Sequence, residues 1–165
     1  ARDPGRFAAI VLISATPGIE DRAERAERER VDDELAAWME GASIEEVVAR
    51  WERLWIFATQ APEVVAAQRP GRLSHDPANL AKLLRSASPG RLPHLWDRLP
   101  DVPLLAVAGE LDERYAKIAR RIDHATIVPG AGHAVHLEQP SRVAALLGEF
   151  LDEHLGDRVL VDPHA

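Results

Sequence analysis

The sequence predicts an α/β fold on three observations: short unbroken apolar runs that end at turn residues, helical apolar spacing in the segments after them, and a long charged stretch without strand-like runs. The first run, Ala8 to Ile13, gives way to Ser14-Ala15-Thr16-Pro17-Gly18. The second, Val102 to Ala108, stops at Gly109, and the third, Ala125 to Val128, stops at Pro129-Gly130. Runs without polar alternation fit strands covered on both faces, and hence a parallel sheet. Tyr115 to Ile122 has helical spacing between the second and third strands, and Val143, Leu146, Leu147, Phe150 and Leu151 have it after the third. Right-handed crossovers then set three parallel strands side by side with helices on their faces.

Residues 20–98 differ in kind, being rich in Glu, Arg, Ala and Trp, with breaks expected at Gly41, Pro62, Pro70-Gly71 and Pro89-Gly90. They read as a helical insertion. From Glu20 to Met39, Glu and Arg alternate so densely that i,i+4 pairs can support an exposed helix. Ser43 with Glu46 forms a capping box for the next helix, through Val47, Val48, Trp51 and Leu54. Asp76 and Pro77 supply an N-cap and first-turn proline for a helix to Leu84. The organisation expected is a core strand and turn over 1–19, the insertion over 20–98, a C-terminal α/β core over 99–156 and a loose tail over 157–165.

The 165 residues suit one compact domain, and 46% hydrophobic with 28% charged residues excludes disordered, collagen-like and coiled-coil classes. A net charge of −7 disfavours nucleic acid or an anionic membrane as partner and leaves a small metabolite as the better expectation. Without Cys there is no disulfide framework, thiolate metal site or cysteine nucleophile. No run reaches the length of a membrane span, no signal peptide is evident, and the cytoplasm is the expected location.

Ligands of open α/β sheets bind at the carboxyl ends of the strands. There the second strand offers Gly109-Glu110-Leu111-Asp112 and the third offers Gly130-Ala131-Gly132-His133. A carboxylate at one strand end and an imidazole at the next are two parts of a hydrolytic triad, in which the acid orients the histidine and the histidine moves the proton. No G-x-S-x-G nucleophile elbow occurs in the 165 residues. Ser14 and Ser74 have no elbow around them and read as strand-end or turn residues.

The strands and the two loops resemble the last three strands of an α/β-hydrolase fold with its acid and histidine loops, the insertion taking the place of the lid. Within that superfamily the chain resembles the 2-succinyl-6-hydroxy-2,4-cyclohexadiene-1-carboxylate synthases of menaquinone biosynthesis. The residues that carry the likeness are Thr16-Pro17-Gly18-Ile19, Arg28-Glu29-Arg30-Val31-Asp32, Trp51 with Phe57, Arg72 ahead of Asn79-Leu80-Ala81, Leu92-Pro93-His94-Leu95-Trp96, and Gly130 to Glu138. The resemblance runs from Phe7 to Leu155. It implies a lyase that eliminates pyruvate by proton removal, without a required acyl-enzyme and without metal or organic cofactor.

The resemblance further implies Asp112 and His133 as catalytic acid and histidine, and Arg28, Trp51 and Arg72 as substrate-binding residues, the arginines holding carboxylates of a small polycarboxylate substrate. Arg presents a planar fork suited to that task. It also implies a missing N-terminal half, in cis or from another chain, which carries the serine, so that the isolated chain is expected to be inactive. Residues 1–6 read as the end of the helix after the elbow.

Simpler roles stand beside these. Asp112 is a good N-cap, Arg28 sits on a charged helix, and Trp51 suits a core position as well as a substrate contact. His133, His136 and Glu138 match no common zinc spacing, and structural hydrogen bonding is the better account of His136. A carboxylester hydrolase on the same fold, or a non-catalytic interaction module if the truncation is genuine, are the alternative functions.

Overall fold

The computed structural model describes residues 7–99 and 101–156. The expected helix end over 1–6 and the tail over 157–165 lie outside the described residues. The chain divides into two compact units: Pro17–Leu99, and the described residues before and after it.

The second unit holds a parallel sheet of β1 (Ile10–Ile13), β2 (Leu104–Gly109) and β3 (Ala125–Val128), in that spatial order. Ile10 pairs with Leu104 through to Ile13 with Val107, and Ala106 with Ala125 through to Gly109 with Val128. The central strand β2 is buried at every position, which explains its unbroken apolar sequence. Helices α5 (Glu113–Ala119), α6 (Val135–Glu138) and α7 (Pro140–Leu155) complete the unit. Val143, Leu146 and Phe150 of α7 pack with Leu105, Val107, Val128, Ala131 and Val135, so the apolar stripe of that helix is its buried face. β1 begins at Ile10 and not at Ala8. It is followed by Ser14, whose φ of 45° lies in the left-handed region and turns the chain as it leaves the sheet.

The first unit is helical: α1 (Arg22–Glu40), α2 (Ile44–Trp51), α3 (Pro62–Leu73) and α4 (Pro77–Ala87), with short 3-10 turns at Trp55–Phe57 and Trp96–Arg98. Only a narrow stripe of α1 is buried, at Asp32, Ala36 and Met39. Ala36 and Met39 meet Val47 of α2 and Ala81 of α4, with Leu35, Ile44, Leu80 and Leu84 around them. The remaining surface of α1 is laced by ion pairs, among them Arg30 with Glu27 and Glu34, and Arg91 with Glu29 and Asp33. The capping box forms as the sequence predicts. Ser43 Oγ accepts the Glu46 N–H at 3.2 Å while the Glu46 carboxylate accepts the Ser43 N–H at 2.8 Å; that second bond, with one from the Ser43 hydroxyl at 3.0 Å, holds the Glu46 carboxyl below its ordinary pKa. Asp76 likewise caps α4 through the Asn79 N–H.

The expected break at Pro70-Gly71 is overturned. Pro70 lies inside α3, and Arg72 is in the last helical turn and not in a loop. Glu52 explains this by binding Arg69 and Arg72, one on each side of the proline, while the Arg72 guanidinium lies 5.5 Å from the Phe57 ring centre. Pro62, also expected as a break, is the first residue of α3, where its missing N–H costs nothing. No helix among the described residues is long and apolar enough to cross a membrane.

Candidate active site

The loops after β2 and β3 meet at the carboxyl edge of the sheet. Gly109 ends β2 so close to the histidine loop that a Cβ there would stand 2.1 Å from the Gly132 carbonyl oxygen and 2.2 Å from that of Ala131. Only glycine allows that approach. The Glu110 N–H donates to the Val128 carbonyl at 3.0 Å, the Leu111 N–H to that of Ala131 at 2.9 Å, and the Glu110 carboxylate accepts the Gly130 N–H at 3.0 Å. The two loops are therefore tied together before the Asp112 and His133 side chains are considered.

Asp112 makes two contacts through its carboxylate. It is the N-cap of α5, with Oδ1 accepting the Tyr115 N–H at 3.1 Å. Its Oδ2 lies 2.6 Å from Nδ1 of His133. Asp112 is 2% exposed whereas the His133 side chain is 22% exposed, so the carboxylate is shielded and the imidazole reaches solvent. A buried carboxylate at that distance favours the tautomer protonated on Nδ1, leaving Nε2 as the proton acceptor. The Tyr115 ring stands edge-on to His133, centres 4.7 Å apart, and limits its rotation. The sequence reading missed Tyr115, although its place three residues after an N-cap Asp puts it beside the partner of that Asp.

Arg28, Trp51 and Arg72 share one cavity of about 460 Å³ within the helical unit, with Leu35, Met39 and His75 among its other walls. Trp51 is 44% exposed while Val47 and Val48 are buried, so it forms cavity wall and not core; its ring meets Phe57 at 5.7 Å. Arg28 is oriented by Asp32, which is 3% exposed and accepts from Arg28 Nε and from Ser88 Oγ, each at 2.8 Å. A guanidinium held through Nε turns its two-nitrogen end outward, the geometry that grips a carboxylate bidentately. Arg72 is anchored on Glu52 at 3.2 Å. Asp32, Ser88, Glu52 and His75 were not anticipated. No local sequence signal pairs Asp32 with Ser88, which is 56 residues away from it.

No family model matches the chain. It is 37% identical over 159 residues to a Bacillus subtilis (strain 168) protein provisionally named 2-succinyl-6-hydroxy-2,4-cyclohexadiene-1-carboxylate synthase, covering 90% of this chain and 58% of that protein. It is 28% identical over 161 residues to the synthase of that name from Enterobacter sp. (strain 638), covering 93% of this chain and 61% of the relative. Among solved structures it matches MenH from S. aureus with a TM-score of 0.84 at 34% identity, over 90% of this chain and 60% of that one. It also matches a malate-bound esterase from Thermogutta terrifontis with a TM-score of 0.65 at 25% identity, over 92% of this chain and 58% of that one. The chain thus spans about three fifths of the length of these relatives. Its fold is that of the α/β-hydrolases, and its likeness is to the 2-succinyl-6-hydroxy-2,4-cyclohexadiene-1-carboxylate synthases.

Proposed function

We propose that this chain supplies the acid, the histidine and the substrate-gripping lid of a lyase that eliminates pyruvate to form 2-succinyl-6-hydroxy-2,4-cyclohexadiene-1-carboxylate in menaquinone biosynthesis. The observation that carries the reading is the 2.6 Å contact between Asp112 and Nδ1 of His133, in a chain alike to those synthases over nine tenths of its length. The serine comes from sequence outside these 165 residues, none of which form a G-x-S-x-G elbow. Nε2 of His133 takes the serine proton, the alkoxide removes a carbon-bound proton from the substrate and becomes serine again, the released electron pair breaks the carbon–oxygen bond to expel the enolate of pyruvate, and the imidazolium proton goes to that enolate to give pyruvate. Asp112 stabilises the imidazolium formed on the way. Arg28 and Arg72 bind substrate carboxylates, and Trp51 packs on the apolar part of the ligand. The cytoplasm, where such a metabolite would be met, is the proposed location.

A carboxylester hydrolase is the second reading, favoured by the likeness to the Thermogutta esterase. One set of measurements on the complete protein separates the two. His133→Ala is expected to abolish nearly all turnover under either reading, and near-normal turnover would remove His133 from the chemistry. Arg28→Ala with Arg72→Ala is expected to collapse pyruvate release and to leave cleavage of a neutral ester nearly unchanged. Ester cleavage by the wild type with no pyruvate release from the polycarboxylate would favour the hydrolase.

A further inference from the structure

The main chain on either side of His133 is gripped by one side chain. Oε2 of Glu138 accepts the Gly132 N–H at 2.8 Å, and Oε1 accepts the Ala134 N–H at 3.2 Å. Glu138 can reach back because α6 begins right after His133: the Leu137 and Glu138 N–H groups both donate to the Ala134 carbonyl, at 2.8 and 3.0 Å. From the opposite side the Ala131 carbonyl is held by the Leu111 N–H of the acid loop. The segment 131–134 is thereby fixed at both ends, with the imidazole projecting from its middle.

We propose that Glu138 is a positioning residue for His133, fixing the backbone from which the imidazole reaches Asp112. The proposal rests on the catalytic reading of His133 for its functional meaning, but its physical content concerns the hydrogen bond alone. Two N–H donors require two acceptor atoms, and an ionised carboxylate supplies both in charge-assisted bonds. Gln is isosteric with one acceptor, and its NH₂ would face the second N–H donor. Glu138→Gln should therefore release one flank of His133 while leaving the volume of the site unchanged.

The test is proton and nitrogen NMR of the complete protein that contains this chain. In the wild type the His133 Nδ1 proton, held against Asp112, should resonate far downfield and exchange slowly with water. In Glu138→Gln it should move upfield and exchange about tenfold faster, the scale of one charge-assisted hydrogen bond. A variant that melts earlier but keeps that proton unmoved would reduce Glu138 to a structural residue and overturn the proposal. Should the variant fail to fold, the wild type still decides. Scalar couplings across the hydrogen bonds from the Gly132 and Ala134 nitrogens to the Glu138 carboxyl carbon support it, and their absence defeats it. The catalytic reading fails separately, if His133→Ala leaves turnover intact in the complete protein while Glu138→Gln still shifts the Nδ1 proton.

Discussion

Asp112 caps a helix with one oxygen and orients an imidazole with the other, and the two roles can be separated by substitution. Asp112→Asn keeps an oxygen for the Tyr115 N–H if its amide group is turned toward His133, where it then meets Nδ1 as a donor. The imidazole must become the Nε2-protonated tautomer, and the nitrogen needed as a base is blocked. In the complete protein, kcat is expected to fall by roughly three to four orders of magnitude, the scale of a triad with its tautomer reversed. The melting temperature should drop only slightly. Asp112→Ala should cost the same activity and, in addition, about 1 kcal/mol of helix capping. Equal melting temperatures for the two variants would show that the cap contributes nothing. At this scale the sequence was legible where a residue type stands at a strand end, as Asp112 and His133 do. It placed Ser14 at a strand end but held no signal for its positive φ, and it was silent on the buried hydrogen bond of Asp32 to Ser88 far along the chain.

Helices were legible where their ends carry their own chemistry. Ser43 with Glu46 and Asp76 with Pro77 satisfy orphan N–H groups within a few residues, so α2 and α4 start where the sequence places them. α3 was not legible, because Pro70-Gly71 is a local breaker and the forces that override it come from elsewhere: Glu52 on Arg69 and Arg72, and Phe57 beneath Arg72. The helix therefore holds against an internal proline cost of about 3 kcal/mol. Pro70→Ala removes the ring's clash with the carbonyl of Ala66 and restores a donor for it. It should raise the melting temperature, and amide exchange across residues 66–73 should slow. A lower melting temperature would mean that the proline bends α3 into the position from which Arg72 meets Glu52.

For the whole molecule, the sheet is the informative feature. β2 is flanked on both edges and buried throughout, whereas β1 is half-buried at all four residues and its outer edge pairs with no strand among the described residues. Parallel strands occur almost only in sheets covered on both faces, and an open apolar edge with unpaired N–H and C=O groups invites pairing with whatever strand is available. The chain also spans only about three fifths of the relatives it matches. The fold class was legible because each strand is a short apolar run with its own turn, whereas nothing in the sequence of β1 marks its outer edge as open. Together they predict that the chain alone self-associates and releases no pyruvate. Produced in one polypeptide or together with a segment that carries parallel strands and a G-x-S-x-G elbow, it should become discrete in size and gain turnover that depends on His133. Light scattering after size-exclusion chromatography, paired with a pyruvate assay, reads both properties. A monodisperse monomer of the chain alone that binds no hydrophobic dye would show that β1 needs no neighbour. Turnover by that monomer would place the nucleophile within these 165 residues.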